Sequence, residues 1–197
     1  MFGRLPTDVP GALVDAEGDE SGATGFFCAD FPGWVATAAH VVDERHKLIN
    51  LTDEYGRLIC AEHLDVERVT GGDLDLALIR CETPAGISAL RIEWDGTVAR
   101  ELDEVIVAGY PYISFHKPAL VVSRGEIASF PFLRSGERRS LRISRVTEPG
   151  FSGAPVIDTR GFVIGVVEQE NILEDKKGNR SIFVTATPAY HFVTFKH

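Results

Sequence analysis

The sequence has no long hydrophobic run, which excludes an ordinary membrane-spanning helix. No apolar stretch approaches the roughly 20 residues that such a helix needs. The first residues, MFGRLPTDVPGALVDAEGDESG, also lack the basic start and the apolar core of a signal peptide. We therefore expect a cytoplasmic protein with no membrane partner.

Cysteine is scarce, and the motifs of metal and nucleotide sites are missing. The 3 cysteines are an odd number at spacings unsuited to a metal, so we expect Cys28, Cys60 and Cys81 to be reduced, buried thiols. There is no HExxH, no CxxC and no P-loop, and the 6 histidines are scattered. A metal hydrolase or a nucleotide-binding protein is disfavoured, and we expect no cofactor and no metal.

Positive charge is in deficit. The 20 basic residues face 29 acidic ones, and the net charge of −9 repels nucleic acid, so we expect no nucleic-acid partner. One basic stripe, in RSGERRSLRISR, is either a solvated hairpin or a contact surface for an acidic partner. The stripe consists of Arg134, Arg138, Arg139, Arg142 and Arg145.

What the sequence does have is a series of short β-type segments in a globular composition. The 197 residues suit one domain, with 44% hydrophobic and 25% charged residues. Segments such as EVIVAGY and FVIGVVEQ recur between turn signals. No amphipathic helix of about 10 or more residues stands out before the tail PAYHFVTFKH, where Pro188 is suited to begin a short helix. We predict an all-β domain with a short C-terminal helix.

Residues 92–105, IEWDGTVARELDEV, are polar and poorly periodic. We interpret them as a connection between two β halves of about six strands each. This predicts a first barrel over about residues 12–91 and a second over 106–190, within one domain.

The segment EPGFSGAPVID places Ser152 between two glycines, either as a nucleophile or as part of a tight turn. A serine hydroxyl barely ionises near neutral pH. As a nucleophile it needs a neutral imidazole, a carboxylate that orients the imidazole, and N–H donors for the oxyanion.

The sequence contains a candidate for each part. His40 ends the β-like run WVATAAH, which predicts an imidazole at a strand end beside small residues. Asp75 enters the strand DLDLALIRC, where a buried carboxylate needs a donor such as an imidazole N–H. Asp73 is a competing carboxylate on the same face, expected to be solvated. Gly150 lets successive N–H groups turn towards one oxygen.

In this order, the three motifs resemble the trypsin-like serine peptidases of the chymotrypsin fold, especially the bacterial branch that includes the HtrA-type proteases. TAAH matches the family's histidine motif, DLALI its aspartate motif, and GFSGAP its GxSGxP serine motif. GATGFF resembles the strand before the histidine, and RGFVIGVVEQ the strand after the serine. The resemblance covers roughly residues 12–190.

The resemblance implies two six-stranded antiparallel β-barrels with an active site between them. It also implies a serine endopeptidase that cleaves protein or peptide substrates through an acyl-enzyme intermediate. The catalytic residues would be Ser152, His40 and Asp75, and the backbone N–H groups of Gly150 and Ser152 would form the oxyanion hole.

The chain departs from the family next to the serine. Secreted trypsins have an aspartate there, which pairs with a new N-terminus after zymogen cleavage, and HtrA-type enzymes commonly have an asparagine. This chain has Phe151, so activation by that ion pair is excluded and the Gly150 peptide depends on packing or on a ligand. Val41 follows His40, so the disulfide of the secreted members is missing too.

By the family's layout, the primary substrate pocket lies between RVTEP, residues 145–149, and EQEN, residues 168–171. Val146, beside Thr147, would lie near the pocket floor, which argues against an acidic residue at the bottom of the pocket as in trypsin-like specificity. Glu168 and Glu170 lie near the pocket wall, where they either select a basic side chain or form a solvated strand end.

Three alternatives stay open at this point. The chain is an active peptidase restrained by substrate selection, by a partner or by an additional domain, or it is a pseudoprotease that acts as a binding module. An esterase that uses the same triad is also consistent with the motifs. Because the tail ends soon after PAYHF, the chain is also consistent with a peptidase domain of a longer protein.

Overall fold

The structure is a computed structural model that describes residues 2–5, 23–42, 50–52, 58–61, 66–68, 74–82, 88–110, 120–131, 140–144, 151–174 and 180–195. Most of these residues lie in β-strands, as the sequence predicts. The strands are β1 (Phe2–Leu5), β2 (Ala23–Phe27), β3 (Trp34–Thr37), β4 (Asn50–Thr52), β5 (Leu58–Ala61), β6 (Val66–Arg68), β7 (Ala77–Arg80), β8 (Arg91–Ile92), β9 (Glu104–Gly109), β10 (Val121–Ser129), β11 (Leu141–Ser144), β12 (Pro155–Asp158), β13 (Phe162–Glu174) and β14 (Arg180–Pro188).

The first sheet has the strand order β5-β4-β1-β2-β3-β7-β6 in the described residues. In β3 and β7, apolar side chains alternate between two cores, as period-2 geometry requires. Ala77 and Ile79 of β7 pack into one apolar cluster, whereas Leu78, and Leu76 just before the strand, pack into another. Both faces of this strand are therefore covered.

The second sheet has the order β12-β9-β10-β11-β14-β13-β8, and β12 also pairs with β13. The extra pairing closes six antiparallel strands into a barrel, while β8 adds to β13 in parallel. The barrel interior is filled by buried residues that include Val107, Ile143, Phe151 and Val156. The predicted all-β, chymotrypsin-like architecture is confirmed, with one of the two predicted six-stranded barrels closed. In the described residues the other is a seven-stranded sheet without a closing pair.

A third apolar cluster lies between the sheets and joins them. It contains Phe26 and Leu78 from the first sheet together with Val163 and Val166 from the second. The predicted C-terminal helix is a 3₁₀ helix, Ala189–Phe195, which begins directly after Pro188 and buries Phe192 in this cluster.

Several other predictions fall partly outside the described residues. Cys28 and Cys81 are buried, as expected, whereas the side chain of Cys60 lies outside the description. Of the basic stripe only Arg142 is described, with its guanidinium 5.0 Å from the centre of the Phe183 ring. Among the helices of the described part of the chain, none has the length and apolar character needed to cross a membrane.

Candidate active site

His40 and Asp75 form a directly bonded pair at one edge of the first sheet. β3 ends at Thr37, and His40 follows in a 3₁₀ turn, Ala39–Val42, rather than at the strand end itself. Asp75 precedes β7, which is antiparallel to β3 with Thr37 opposite Ala77. That register brings the two side chains together.

The His40–Asp75 geometry fixes the imidazole. Asp75 Oδ2 lies 2.5 Å from His40 Nδ1, and Asp75 Oδ1 accepts the backbone N–H of His40 at 2.8 Å. Because the carboxylate engages Nδ1, Nε2 is the ring nitrogen left to take up a proton. The expected imidazole–carboxylate pair is therefore present.

The charge of Asp75 is stabilised within this pair. Burial acts to raise the pKa of the Asp75 carboxyl, but hydrogen bonds and positive charge from His40 outweigh it and hold the pKa below its ordinary value of 3.8. The His40 side chain is 48% exposed and that of Asp75 21%, so the imidazole faces the surface while its partner is more enclosed.

Ser152 lies in a tight turn that leads into β12. The N–H of Ala154 donates to Phe151 O at 2.8 Å, and the N–H of Gly153 donates to Val167 O at 2.8 Å. Gly153 has φ = 82°, and a Cβ there would lie 2.1 Å from Thr24 O. The second glycine of the serine motif is thus required both by its backbone conformation and by close packing.

Thr24 of β2 anchors this turn to the first sheet. Its N–H donates to Ser152 O at 2.8 Å, and its carbonyl accepts the Thr37 hydroxyl at 2.8 Å. Its own hydroxyl accepts the N–H of Tyr110 at 2.9 Å. Thr24 and Thr37 are both fully buried. The serine turn and the strand that leads to His40 are therefore fixed to the same residue.

The Ser152 hydroxyl donates to the backbone carbonyl of Glu168 at 3.0 Å. Among the described residues, no hydrogen bond joins Ser152 Oγ to His40. The structure thus places two of the three predicted catalytic side chains in contact and gives the third a different partner.

Glu168 and Thr187 form a second set of contacts beside the pair. The Thr187 hydroxyl donates to the Glu168 carboxylate, and it accepts the backbone N–H of Asp75 at 3.3 Å. Glu168 was predicted near the substrate pocket, whereas Thr187 was not predicted to lie near the site. No motif marks Thr187, because its hydrogen bond to Asp75 joins residues that lie 112 positions apart in the sequence.

Phe151 is buried in the core of the second barrel. A Cβ at Gly109, the last residue of β9, would lie 2.7 Å from Phe151 Cδ1 and 3.0 Å from Thr24 Oγ1. The aromatic ring therefore occupies the space that Gly109 leaves open. Packing therefore holds the residue before the serine, whereas the Gly150 peptide lies outside the described residues.

The remaining predicted site residues are not in the described set. These are Gly150, Val146, Thr147 and Asp73. The backbone of Glu170 pairs with Val184, but its side chain lies outside the description. Within the described ranges, no group of three or more histidine, cysteine, aspartate or glutamate side chains is arranged to hold a metal ion.

Comparisons with known proteins show the family and the fold of this chain. Residues 23–166 match the family model described as trypsin-like peptidase domain. The crystal structure of the serine endoprotease from Yersinia pestis superposes on 99% of this chain with a TM-score of 0.65 and 18% identity, which shows a shared fold. The uncharacterized protein y4bJ of Sinorhizobium fredii is 36% identical over 94 residues, or 47% of this chain.

Both relatives are longer than this chain. The matched part is 60% of the Yersinia chain and 14% of the Sinorhizobium protein.

Proposed function

Because this chain belongs to the family of trypsin-like peptidase domains, we propose that it is a serine endopeptidase with Ser152 as nucleophile, His40 as general base and Asp75 as the residue that orients His40. The observation that carries the proposal is the bonded His40–Asp75 pair, fixed through Thr24 to the turn that presents Ser152. One buried residue, Thr24, bonds both to the serine turn and to Thr37, at the end of the strand that leads to His40.

In the proposed reaction, Ser152 Oγ exchanges its bond to Glu168 O for one to His40 Nε2 and attacks the scissile carbonyl carbon. Its proton passes to Nε2 and then to the leaving amine as the C–N bond breaks, which leaves an acyl ester on Ser152. Water, deprotonated by the same imidazole, hydrolyses the ester and restores the serine. Asp75 stabilises the imidazolium throughout.

Backbone N–H groups of Gly150 and Ser152 are the proposed donors to the oxyanion. The N–H of Gly153 is already bonded to Val167 O, so it is committed to the turn. Removing one oxyanion donor from such a site typically lowers the rate by about 10²–10³.

The experiment is labelling of the purified protein with a neutral alkyl fluorophosphonate above the ordinary histidine pKa of about 6.5. We expect covalent labelling of the wild type at Ser152, and none of Ser152→Ala. His40→Ala should label at least about 10³-fold more slowly, because the nucleophile loses its base. Ser144→Ala is the matched control, since the Ser144 hydroxyl also donates to a backbone carbonyl, that of Glu126, at 3.3 Å.

A pseudoprotease is the second candidate, favoured by the Ser152 hydroxyl lying on Glu168 O instead of on His40. In that case the folded wild type takes up no fluorophosphonate, and it binds peptides without cleaving them. Labelling of the wild type that is lost in Ser152→Ala contradicts the pseudoprotease. If a chelator does not reduce that labelling, a metal hydrolase is contradicted as well.

We further propose that the enzyme acts in the cytoplasm and is restrained by narrow substrate selection, by a regulatory partner or by an additional domain. Support comes from the sequence, which has Phe151 in place of the residue used for zymogen activation. Incubation of the active protein with a whole-cell extract should leave most proteins intact. Cleavage of many unrelated proteins would contradict the restraint.

A further inference from the structure

Glu168 occupies an irregular position in β13. The register with β14 shifts between Val167, opposite Ala186, and Gln169, opposite Thr185, so Glu168 is the extra residue of a β-bulge. Bulges occur beside active sites, where they redirect a side chain or a backbone carbonyl out of the regular ladder. Here the carbonyl of Glu168 accepts the Ser152 hydroxyl and the carboxylate accepts the Thr187 hydroxyl.

Thr187 carries the contact across to the other sheet. It lies in β14 of the second sheet and is fully buried, while Asp75, whose N–H it accepts at 3.3 Å, precedes β7 of the first sheet. A buried hydroxyl that lost its acceptor would carry the full desolvation cost of its O–H group, so the bond from Thr187 to the Glu168 carboxylate is strongly favoured. Glu168 and Thr187 thus join Ser152 to Asp75 through three hydrogen bonds.

We propose that the Glu168 carboxylate is a positioning group of the active site, which holds Asp75, and through it His40, by way of the Thr187 hydroxyl and does not select the substrate side chain. This inference rests on the proposed serine peptidase function. It differs from the expectation that Glu168 pairs with a basic substrate residue, because its carboxylate is directed at Thr187.

Loss of the carboxylate removes the acceptor of the Thr187 hydroxyl. The hydroxyl can then rotate away from the backbone N–H of Asp75, which it accepts in the wild type. Asp75 sets the orientation of His40, so a small displacement passes to the base. Misplacement of a reacting group by about 1 Å can lower a rate by about 10²-fold. Binding of a reagent that has no side chain for the substrate pocket should change little.

The test measures labelling kinetics with two probes, a neutral alkyl fluorophosphonate and a diphenyl phosphonate that carries a guanidinium side chain. The variants are Glu168→Ala, Glu168→Gln, Thr187→Val and Thr187→Ser. Glu101→Gln is the charge-matched control, since Glu101 is exposed and lies in the turn before β9. Circular dichroism confirms that each variant is folded.

We expect Glu168→Ala and Thr187→Val to lower the maximal labelling rate by about 10–100-fold with both probes, with half-saturating concentrations within about twofold of wild type. Glu168→Gln keeps an acceptor oxygen and Thr187→Ser keeps the hydroxyl, so both should stay within about threefold of wild type. The double variant Glu168→Ala/Thr187→Val should be no slower than the slower single variant, because the two residues act through one contact.

Three results overturn the inference in distinguishable ways. A Glu168→Ala defect confined to the guanidinium probe and to its half-saturating concentration shows that Glu168 selects substrate. A wild-type labelling rate in Glu168→Ala, or a double-variant loss equal to the product of the two single-variant losses, shows that the contact between Glu168 and Thr187 positions nothing. Absence of labelling in the wild type shows that the proposed peptidase function itself is wrong, and the inference falls with it.

Discussion

Asp75 is the residue on whose charge the proposed site depends most. Its carboxylate accepts from both the ring and the backbone of His40, so it fixes the position of the base as well as its tautomer. These two donors stabilise the ionised form of the carboxyl group, whereas protonation would remove one of its acceptor positions.

The pH dependence of stability follows from this residue. Burial raises the pKa of Asp75 and His40 lowers it by more, so the folded-state pKa lies below the ordinary 3.8 of the unfolded chain. A group with a depressed folded-state pKa contributes stability above its unfolded pKa and loses it as the pH falls through the folded value. The free-energy difference between wild type and Asp75→Asn, from urea unfolding, should therefore be largest near about pH 5 and shrink below about pH 4.

The same series of unfolding experiments can contradict this reading. A difference between wild type and Asp75→Asn that stays constant down to about pH 3 would mean that the ionised carboxylate contributes nothing specific to the folded state. His40→Ala is the companion variant. It removes the cause of the lowered pKa, so in that background the pH-dependent part of the difference should decrease.

At the scale of single elements, the serine turn depends on how β9 ends. Gly109 leaves room for the Phe151 ring, and a Cβ there would approach Phe151 Cδ1 to 2.7 Å. Gly109→Ala should destabilise the protein by about 1–3 kcal/mol through overpacking and should slow fluorophosphonate labelling, because the ring is adjacent to Ser152. Urea unfolding and labelling of the same samples measure the two effects.

Two further variants separate packing from backbone strain. Gly33→Ala places a Cβ at φ = 82° with no atom within 4 Å, so it should lose about 1 kcal/mol and leave labelling unchanged. Phe151→Leu combined with Gly109→Ala should recover part of the lost stability, since the smaller side chain makes room. Strictly additive destabilisation would show that the two residues do not compete for space.

The elements differ in how well the sequence predicts them. The family motifs predict β7 and β12, because Asp75 stands just before the first and Ser152 just before the second, and β2 is predicted by its resemblance to the strand before the histidine. The two-residue β8 and the three-residue β6 have too few residues for a period to emerge, and no pattern distinguishes them from loops.

The site was predicted as far as the motifs extend. His40, Asp75 and Ser152 each have a local signature, and the structure brings the first two together. The proposed role of Glu168 depends on a register shift, and that of Thr187 on a hydrogen bond between the two sheets. No local sequence pattern predicts either feature, since a β-bulge is set by the whole sheet and the contact by how the sheets pack.

At the scale of the whole molecule, the two sheets share one core. Phe26, Leu78, Val163 and Phe192 belong to a single apolar cluster, and Thr24 links the sheets by hydrogen bonds. Opening either sheet alone would expose this cluster and break the buried bonds of Thr24. The halves therefore depend on each other for stability.

We expect a single cooperative unfolding transition. Far-ultraviolet circular dichroism should report both sheets, and tryptophan fluorescence should report Trp34 and Trp94, which pack against the shared cluster. The two signals should change at the same urea concentration, and the calorimetric and van't Hoff enthalpies should agree. Separate transitions by the two probes would show that one sheet survives without the other.

The hydrogen bond between Asp75 and Thr187 also bears on when activity first arises during synthesis. Its partners are 112 residues apart, so at about 5–20 residues per second the ribosome makes the aspartate several seconds before the threonine. A nascent chain that has His40 and Asp75 still lacks both the nucleophile and the strand that registers the two sheets. If the proposed site is active, the order of translation therefore delays its proteolytic activity until Thr187 has been synthesised.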